Sequence, residues 1–189
     1  LKRETTIIFD PKQGGDEWLP NVCHKATQVA NTPYFFIDIR VKTAQINLLE
    51  GMSTDKIINL LIVGLMLEDR GDAADYYRAK SRKMARFVGK NYQNGMTLKE
   101  ISETYDEYFR KNEADGFADS LQELAEVVSI NASGGILLKD VIDQICVIYV
   151  AGDWEDPKHI IIQRMLLARI VQIVSERDNT VDTPKQVCV

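Results

Sequence analysis

Positive charge is concentrated in one short part of this acidic chain. The 189 residues include 23 basic and 28 acidic side chains, giving a formal net charge of −5. Residues 78–99 hold seven basic side chains and no acidic one, so the remainder has 16 basic and 28 acidic residues, a balance of −12. Guanidinium and ammonium groups bind phosphate oxygens, so this segment is where the chain would bind a polyanion.

The spacing of these basic residues predicts that several of them share one helical face. Arg78, Arg82 and Arg86 recur every four residues, which places them one above another on an α-helix. Aromatic residues flank the segment and offer surfaces on which unpaired bases can stack. We therefore predict a single-stranded nucleic-acid site formed by Arg78, Lys80, Arg82, Lys83, Arg86, Lys90, Tyr77 and Tyr92.

A salt-bridged surface is the alternative interpretation of the same segment. Residues 100–126 contain nine acidic side chains and only two basic ones, Arg110 and Lys111, so neighbouring helices can pair their charges. Charged helix faces of this kind commonly serve solvation rather than binding. The two interpretations differ in whether the basic side chains already form salt bridges with carboxylates of the protein.

Sequence motifs of common catalytic and metal sites are missing. The two histidines, His24 and His159, stand in no metal-ligand pattern, and neither HExxH nor CxxC occurs. The sequence also lacks a GxSxG elbow, a P-loop and a GxGxxG turn. It therefore predicts a non-enzymatic protein with no metal and no cofactor.

Composition also bears on where the protein acts. The longest uninterrupted apolar run, residues 145–151, is far shorter than the roughly 20 residues of a membrane-spanning helix. The first ten residues lack the apolar stretch of a secretory signal. Three scattered cysteines, Cys23, Cys146 and Cys188, do not suggest a disulfide framework. We expect no membrane span and an intracellular, cytoplasmic protein.

Helices are the elements expected to position the basic segment. Helical periodicity begins at Ser53, a capping box opens a helix at Thr97, and Asp156 with Pro157 starts the last helix. The intervening apolar stretch, residues 138–151, is predicted as one more helix. The expected fold is mainly α, a helical bundle of about six helices with a short N-terminal β element.

Short strands are expected only near the N-terminus. Residues 5–9 and 34–41 have strand-like composition, within a stretch (residues 1–32) that otherwise reads as turn-rich. These strands would form a small antiparallel sheet or an arm lying on another subunit. The predicted organisation is an N-terminal arm with short strands at 1–52, a helical domain at 53–177 and an extended tail at 178–189.

The last helix is apolar around most of its circumference. Residues 160–174 leave no wide polar stripe, which is typical of a central helix or of one at a subunit interface. We therefore predict a homo-oligomer. The same apolar excess in residues 138–174 supports the alternative function, a helical protein–protein interaction adaptor that does not bind nucleic acid.

Two stretches resemble a known family. One runs from the apolar sequence LLIVGL at 60–65, through DRG at 69–71, to YYR at 76–78 and the basic helix. The other is CVIYVAGD at 146–153, followed by a helix bearing Arg164. Together they resemble nucleoproteins of non-segmented negative-strand RNA viruses. The resemblance implies an α-helical, RNA-binding capsid subunit that polymerises through exchanged terminal arms and resides in the virion.

Overall fold

A four-stranded parallel sheet joins distant parts of the chain in a computed structural model that describes residues 4–10, 17–178 and 187–189. Its strands lie in the order β2-β3-β1-β4. Ile148 on β3 is aligned with Ile7 on β1 and with Phe35 on β2. The strand bounds are β1 Thr5–Asp10, β2 Tyr34–Asp38, β3 Val147–Ala151 and β4 Val187–Cys188.

Seven α-helices are present among the described residues, and helices make up 56% of the structure. The expected mainly α bundle is therefore only partly correct, because the helices accompany a four-stranded parallel sheet and not just a short N-terminal β element. Five of the helices lie between β2 and β3 in the chain. The helix bounds are α1 Trp18–Ala30, α2 Thr54–Gly64, α3 Asp75–Asn91, α4 Leu98–Lys111, α5 Asp115–Ala125, α6 Leu138–Ile142 and α7 Pro157–Asp178, with a short 3-10 helix at Val128–Ile130.

The two faces of the sheet are covered unequally. One face, with Ile7 and Ile148, belongs to the main hydrophobic core together with buried residues of α7 such as Ile162. The other face is covered by α1, where the Tyr34 hydroxyl donates to the Pro20 carbonyl at 3.3 Å. Thr27 is the only buried residue of α1, so most of this helix remains accessible to solvent where it covers the sheet.

The segment 138–151 departs most from the sequence-based prediction. The expected single helix is wrong: α6 ends at Ile142, and β3 begins at Val147 between β1 and β2. A central parallel strand is buried on both faces, so its sequence is continuously apolar and lacks the alternation that usually reveals a strand. Residues Ile148 to Ala151 are all buried accordingly.

The N-terminal prediction is also corrected. Residues 1–32 were expected to be turn-rich, but α1 occupies residues 18–30. Pro20 is tolerated there because it is the third helical residue, whose backbone N–H would have no partner within the helix. β1 and β2 are not an antiparallel pair, since each pairs in parallel with β3. The sheet thus includes strands from all three segments of the predicted organisation.

Helix starts that carry a local capping signal are predicted correctly. Thr97 and Glu100 form the expected capping box at the start of α4, and α7 begins at Pro157 as predicted.

In the part of the chain that the structure describes, no helix combines the length and apolarity needed to cross a bilayer.

Candidate nucleic-acid interface

The basic residues lie on α3, which is held against α2 by a close helix contact. Met84, Ala85, Val88 and Gly89 form the buried face of α3. A Cβ on Gly89 would lie 2.5 Å from Ile58 Cγ1 and 3.0 Å from the Thr54 carbonyl oxygen, so glycine permits the approach. This packing fixes which side of α3 faces solvent.

Arg78 forms salt bridges with two carboxylates at the start of α3. Its Nη1 lies 2.8 Å from Asp72 Oδ1 and 2.5 Å from Asp75 Oδ1. These hydrogen bonds, with Asp72 the larger contributor, raise the pKa of the Arg78 guanidinium. Asp75 in turn accepts from the backbone N–H groups of Arg70 and Gly71, at 3.0 Å and 2.7 Å. Arg78 therefore holds the N-terminal turn of α3 and is not available to a ligand.

Lys80 and Arg82 are also engaged within the protein. Lys80 bonds the Glu113 carboxylate, which raises the pKa of the lysine to about 12, and its Nζ lies 4.6 Å from the centre of the Tyr76 ring. Arg82 donates to the Leu67 carbonyl at 2.6 Å and pairs with Asp69 at 2.6 Å. These two side chains tie α3 to α4–α5 and to the end of α2.

The other three predicted cations are exposed. Lys83, Arg86 and Lys90 are each solvent-exposed, and none forms an ion pair with any residue in the described ranges. Their spacing of three and four residues places them within about 60° of one another around the helix axis. We call these three residues the basic ridge. The structure therefore divides the predicted cluster of six cations into three that are paired and three that are not.

Two neighbouring tyrosines stand at the N-terminal end of the ridge. Tyr77, predicted from the sequence, is 68% exposed, and Tyr76 is 63% exposed. Their rings make an edge contact with centroids 5.5 Å apart. Tyr76 lies seven residues before Lys83, so it projects from the same side of α3 as the ridge. Sequence reasoning passed over Tyr76, although this seven-residue spacing was a readable signal.

Tyr92 has a different position from the one predicted. It lies just after α3, packs partly against the core, and donates from its hydroxyl to the Leu49 carbonyl at 3.0 Å. The hydroxyl also accepts from the Gly95 N–H at 3.2 Å, and burial raises the pKa of the phenol. Tyr92 anchors the loop between α3 and α4 and is not placed to stack on a base beside the ridge.

Comparison with known proteins adds no family to this description. The chain matches no protein-family model, and a search of curated proteins finds no similar sequence. The resemblance to viral nucleoproteins stays a prediction, and the function has to be argued from the geometry.

Proposed function

We propose that the protein binds single-stranded nucleic acid through the basic ridge, catalyses no reaction, and self-associates through α7. The observation that supports binding is the division of the cluster. Three cations on one exposed face have no carboxylate partner among the described residues, while their neighbours on α3 are neutralised. An RNA-encapsidating subunit is the concrete form of this function that the family resemblance implies.

Electrostatics restrict where a polyanion can approach this chain. The sequence outside residues 78–99 has a charge balance of −12 and repels phosphates. Lys83, Arg86 and Lys90 present a local positive surface on the outer side of α3. Contacts to phosphate carry no base information, so binding through the ridge should show little sequence preference.

Tyr76 and Tyr77 add a surface for bases at one end of this positive strip. Base–aromatic stacking contributes about 1–3 kcal/mol per base and tolerates any sequence. Tyr76 lies within about 20° of Lys83 around the helix axis, and the Tyr77 ring is in edge contact beside it. The exposed Tyr76 ring near the N-terminus of α3 therefore supports a path along the helix, with bases near Tyr76 and phosphates along the ridge.

Fluorescence anisotropy with a labelled single-stranded RNA tests the proposed binding. Replacing Lys83 or Arg86 by Glu should weaken binding at least about eightfold near 50 mM salt, which is the contribution of one phosphate contact. Lys25→Glu is the matched control, because Lys25 is also an exposed helical cation without an ion pair in the described structure. Absence of binding by the native protein at low salt, or equal losses in ridge and control variants, contradicts the proposal.

Self-association is supported by an exposed apolar stripe on α7. One side of this helix is buried through Ile162, Met165, Leu166, Ile170 and Ile173. The opposite side exposes Ile160, Leu167 and Val171, whose spacing of seven and four residues aligns them along the axis. A second copy of the chain would remove these aliphatic groups from water.

The same stripe supports the alternative function, an adaptor that binds another protein through α7 without binding nucleic acid. The two functions make different predictions for the ridge. An adaptor would keep its partner binding in the Lys83→Glu and Arg86→Glu variants and would lose it in the Leu167→Glu variant.

A further inference from the structure

A groove runs along the surface between α4 and α5. The two helices pack through buried side chains such as Phe109 and Phe117, whose rings make an edge contact with centroids 5.1 Å apart. Asn131 fixes one end of the groove, because its amide donates to the Val127 carbonyl at 2.8 Å and its Oδ1 accepts from the Lys99 N–H at 2.9 Å. The groove has a volume of about 580 Å³, which is in the range of small-molecule sites.

Carboxylates lie on both walls of this groove. Glu103 and Asp106 are three residues apart on α4 and are therefore neighbours on one helical face. Glu126 lies on the opposite wall, directly after the last residue of α5. Among the described residues that line the groove, Lys99 is the one basic side chain. Three carboxylates and one ammonium group thus line the groove.

The cations of α4 neutralise only part of this negative charge. Lys99 lies 3.9 Å from Glu103, and such a long, exposed pair is weak. Arg110 pairs with Asp106 at 2.9 Å, but the same guanidinium also pairs with Asp119 at 3.0 Å. Residues 100–126 as a whole have nine acidic and two basic side chains, a balance of −7. The groove therefore lies in a region of net negative charge.

Lys158 is shared among carboxylates in the same way on the other wall. Its ammonium group lies 3.1 Å from Glu126 Oε2. The hydrogen bond to Glu126 raises the pKa of Lys158 most, and the carboxylates of Asp156 and Glu123 are close enough to contribute. One ammonium group thus stands among three carboxylates, so a further cation is attracted to this wall.

A buried hydroxyl group without a partner lines the same groove. Ser102 is only 6% exposed, and its Oγ forms no hydrogen bond with any residue in the ranges that the structure describes. Buried hydroxyl groups usually have a partner, and a helical serine can donate to the carbonyl one turn before it. Ser102 makes no such bond, so its oxygen is available to accept from a donor bound in the groove.

The spacing of the carboxylates favours an extended ligand over a metal ion. Among the described residues, no three side chains of His, Cys, Asp or Glu come close enough together to hold a metal. The negative charges are therefore spread along the groove. The aliphatic side chains of Ala125 and Val128 also line it, and Val128 is 40% exposed. A ligand that alternates cationic groups with methylene groups matches this combination.

We propose that the groove between α4 and α5 binds a linear polyamine such as spermidine. Its ammonium groups pair with Glu103, Asp106 and Glu126, and its methylene groups contact Val128. The Ser102 hydroxyl accepts from one of the ammonium groups. This site lies on different helices from the basic ridge, so it goes beyond the proposed function and is tested without RNA.

Equilibrium dialysis of the full-length protein against labelled spermidine tests the proposal at about 50 mM salt, where charges are only partly screened. Spermidine should bind saturably. Putrescine, with one ammonium group fewer, should compete about fivefold more weakly because one ion pair is lost. Hexaamminecobalt(III) carries the same charge in a compact shape without methylene groups, so it should compete at least about threefold more weakly.

Two substitutions on α4 form a matched pair. Glu103→Gln should weaken spermidine binding about three- to fivefold, because it removes a carboxylate of the groove. Glu107→Gln is the control, since Glu107 is also exposed and paired with a lysine four residues later, Lys111, but does not line the groove. This control should leave the affinity nearly unchanged.

Replacing Ser102 separates a ligand role from a structural one. Ser102→Ala should keep or raise the melting temperature, because it removes a buried hydroxyl that has no partner, while weakening spermidine binding about threefold. The inference is overturned if spermidine shows no saturable binding, if hexaamminecobalt(III) competes as well as spermidine itself, or if Glu107→Gln loses as much affinity as Glu103→Gln. Native affinity in Ser102→Ala likewise contradicts it.

Discussion

Arg82 and Arg86 are one helical turn apart on α3 and have opposite environments. Arg82 donates to the Leu67 carbonyl and pairs with Asp69, both at 2.6 Å, whereas Arg86 is exposed and forms no ion pair with the described residues. The four-residue spacing that predicted one shared face is real, but the drift of about 40° per four residues carries Arg82 toward the end of α2. Sequence spacing alone therefore overstated the number of cations that a ligand can reach.

Neutralising these two arginines should produce opposite effects. Arg82→Gln should lower the free energy of unfolding by about 1 kcal/mol, because a hydrogen-bonded charge pair is lost, and should leave RNA affinity nearly unchanged. Arg86→Gln should weaken RNA binding by about eightfold near 50 mM salt and leave stability unchanged. Urea unfolding and anisotropy on the same preparations measure both quantities. A loss of affinity in Arg82→Gln as large as that in Arg86→Gln would show that both arginines reach the RNA.

Two glycine substitutions test how α3 is held. Gly89→Ala should lower the free energy of unfolding by about 1–3 kcal/mol, because the new methyl group would meet Ile58 and the Thr54 carbonyl. Gly116→Ala is the matched control, since this residue of α5 has no atom near its would-be Cβ, and it should raise stability by up to about 1 kcal/mol. Equal effects of the two changes would contradict the close packing of α3 on α2.

How far the sequence predicts the structure depends on the range of each interaction. The capping box of Thr97 and Glu100 acts within one turn, so α4 is predicted correctly. The sheet depends on partners such as Thr6 and Val147, which are far apart in the chain, and no local pattern records that pairing. The central strand β3 is also difficult to recognise from the sequence, because burial on both faces removes the alternation of apolar and polar residues.

The ion pairs of the basic residues on α3 also divide into local ones, which the sequence predicts, and long-range ones, which it does not. The pairing of Arg78 with Asp75 is an i,i+3 contact that spacing alone predicts. The pairing of Lys80 with Glu113 joins α3 to the turn before α5 and needed the tertiary structure. Which cations remain exposed was therefore only partly readable from the sequence.

Thiol labelling tests the burial of the chain just before β3. Cys146 is fully buried, and burial raises the pKa of its thiol to about 11, so it should resist alkylation in the native protein at mildly alkaline pH. Cys188 is exposed and should react readily. Mass spectrometry of the alkylated peptides distinguishes the two sites, and denaturant should make them equally reactive. Fast native labelling of Cys146 would contradict the position of β3 in the sheet.

The proposed self-association predicts a response to charge on α7. Leu167→Glu should shift the protein toward a lower mass in sedimentation velocity, because a carboxylate in an apolar interface is costly to desolvate. Val29→Glu is the control, since Val29 is the most exposed aliphatic residue of α1 and lies away from the stripe. Native protein that sediments as a monomer at high concentration, with and without RNA, contradicts self-association.

The salt dependence of RNA binding measures how many cations contact phosphate. Each contact to a single strand contributes about −0.7 to the slope of log affinity against log salt concentration, so the three residues of the basic ridge predict a slope of about −2. Participation of all six predicted cations would give about −4. A slope near −2 that falls to about −1.4 in Arg86→Gln supports binding through Lys83, Arg86 and Lys90. A slope near zero, or one that Arg86→Gln leaves unchanged, would contradict it.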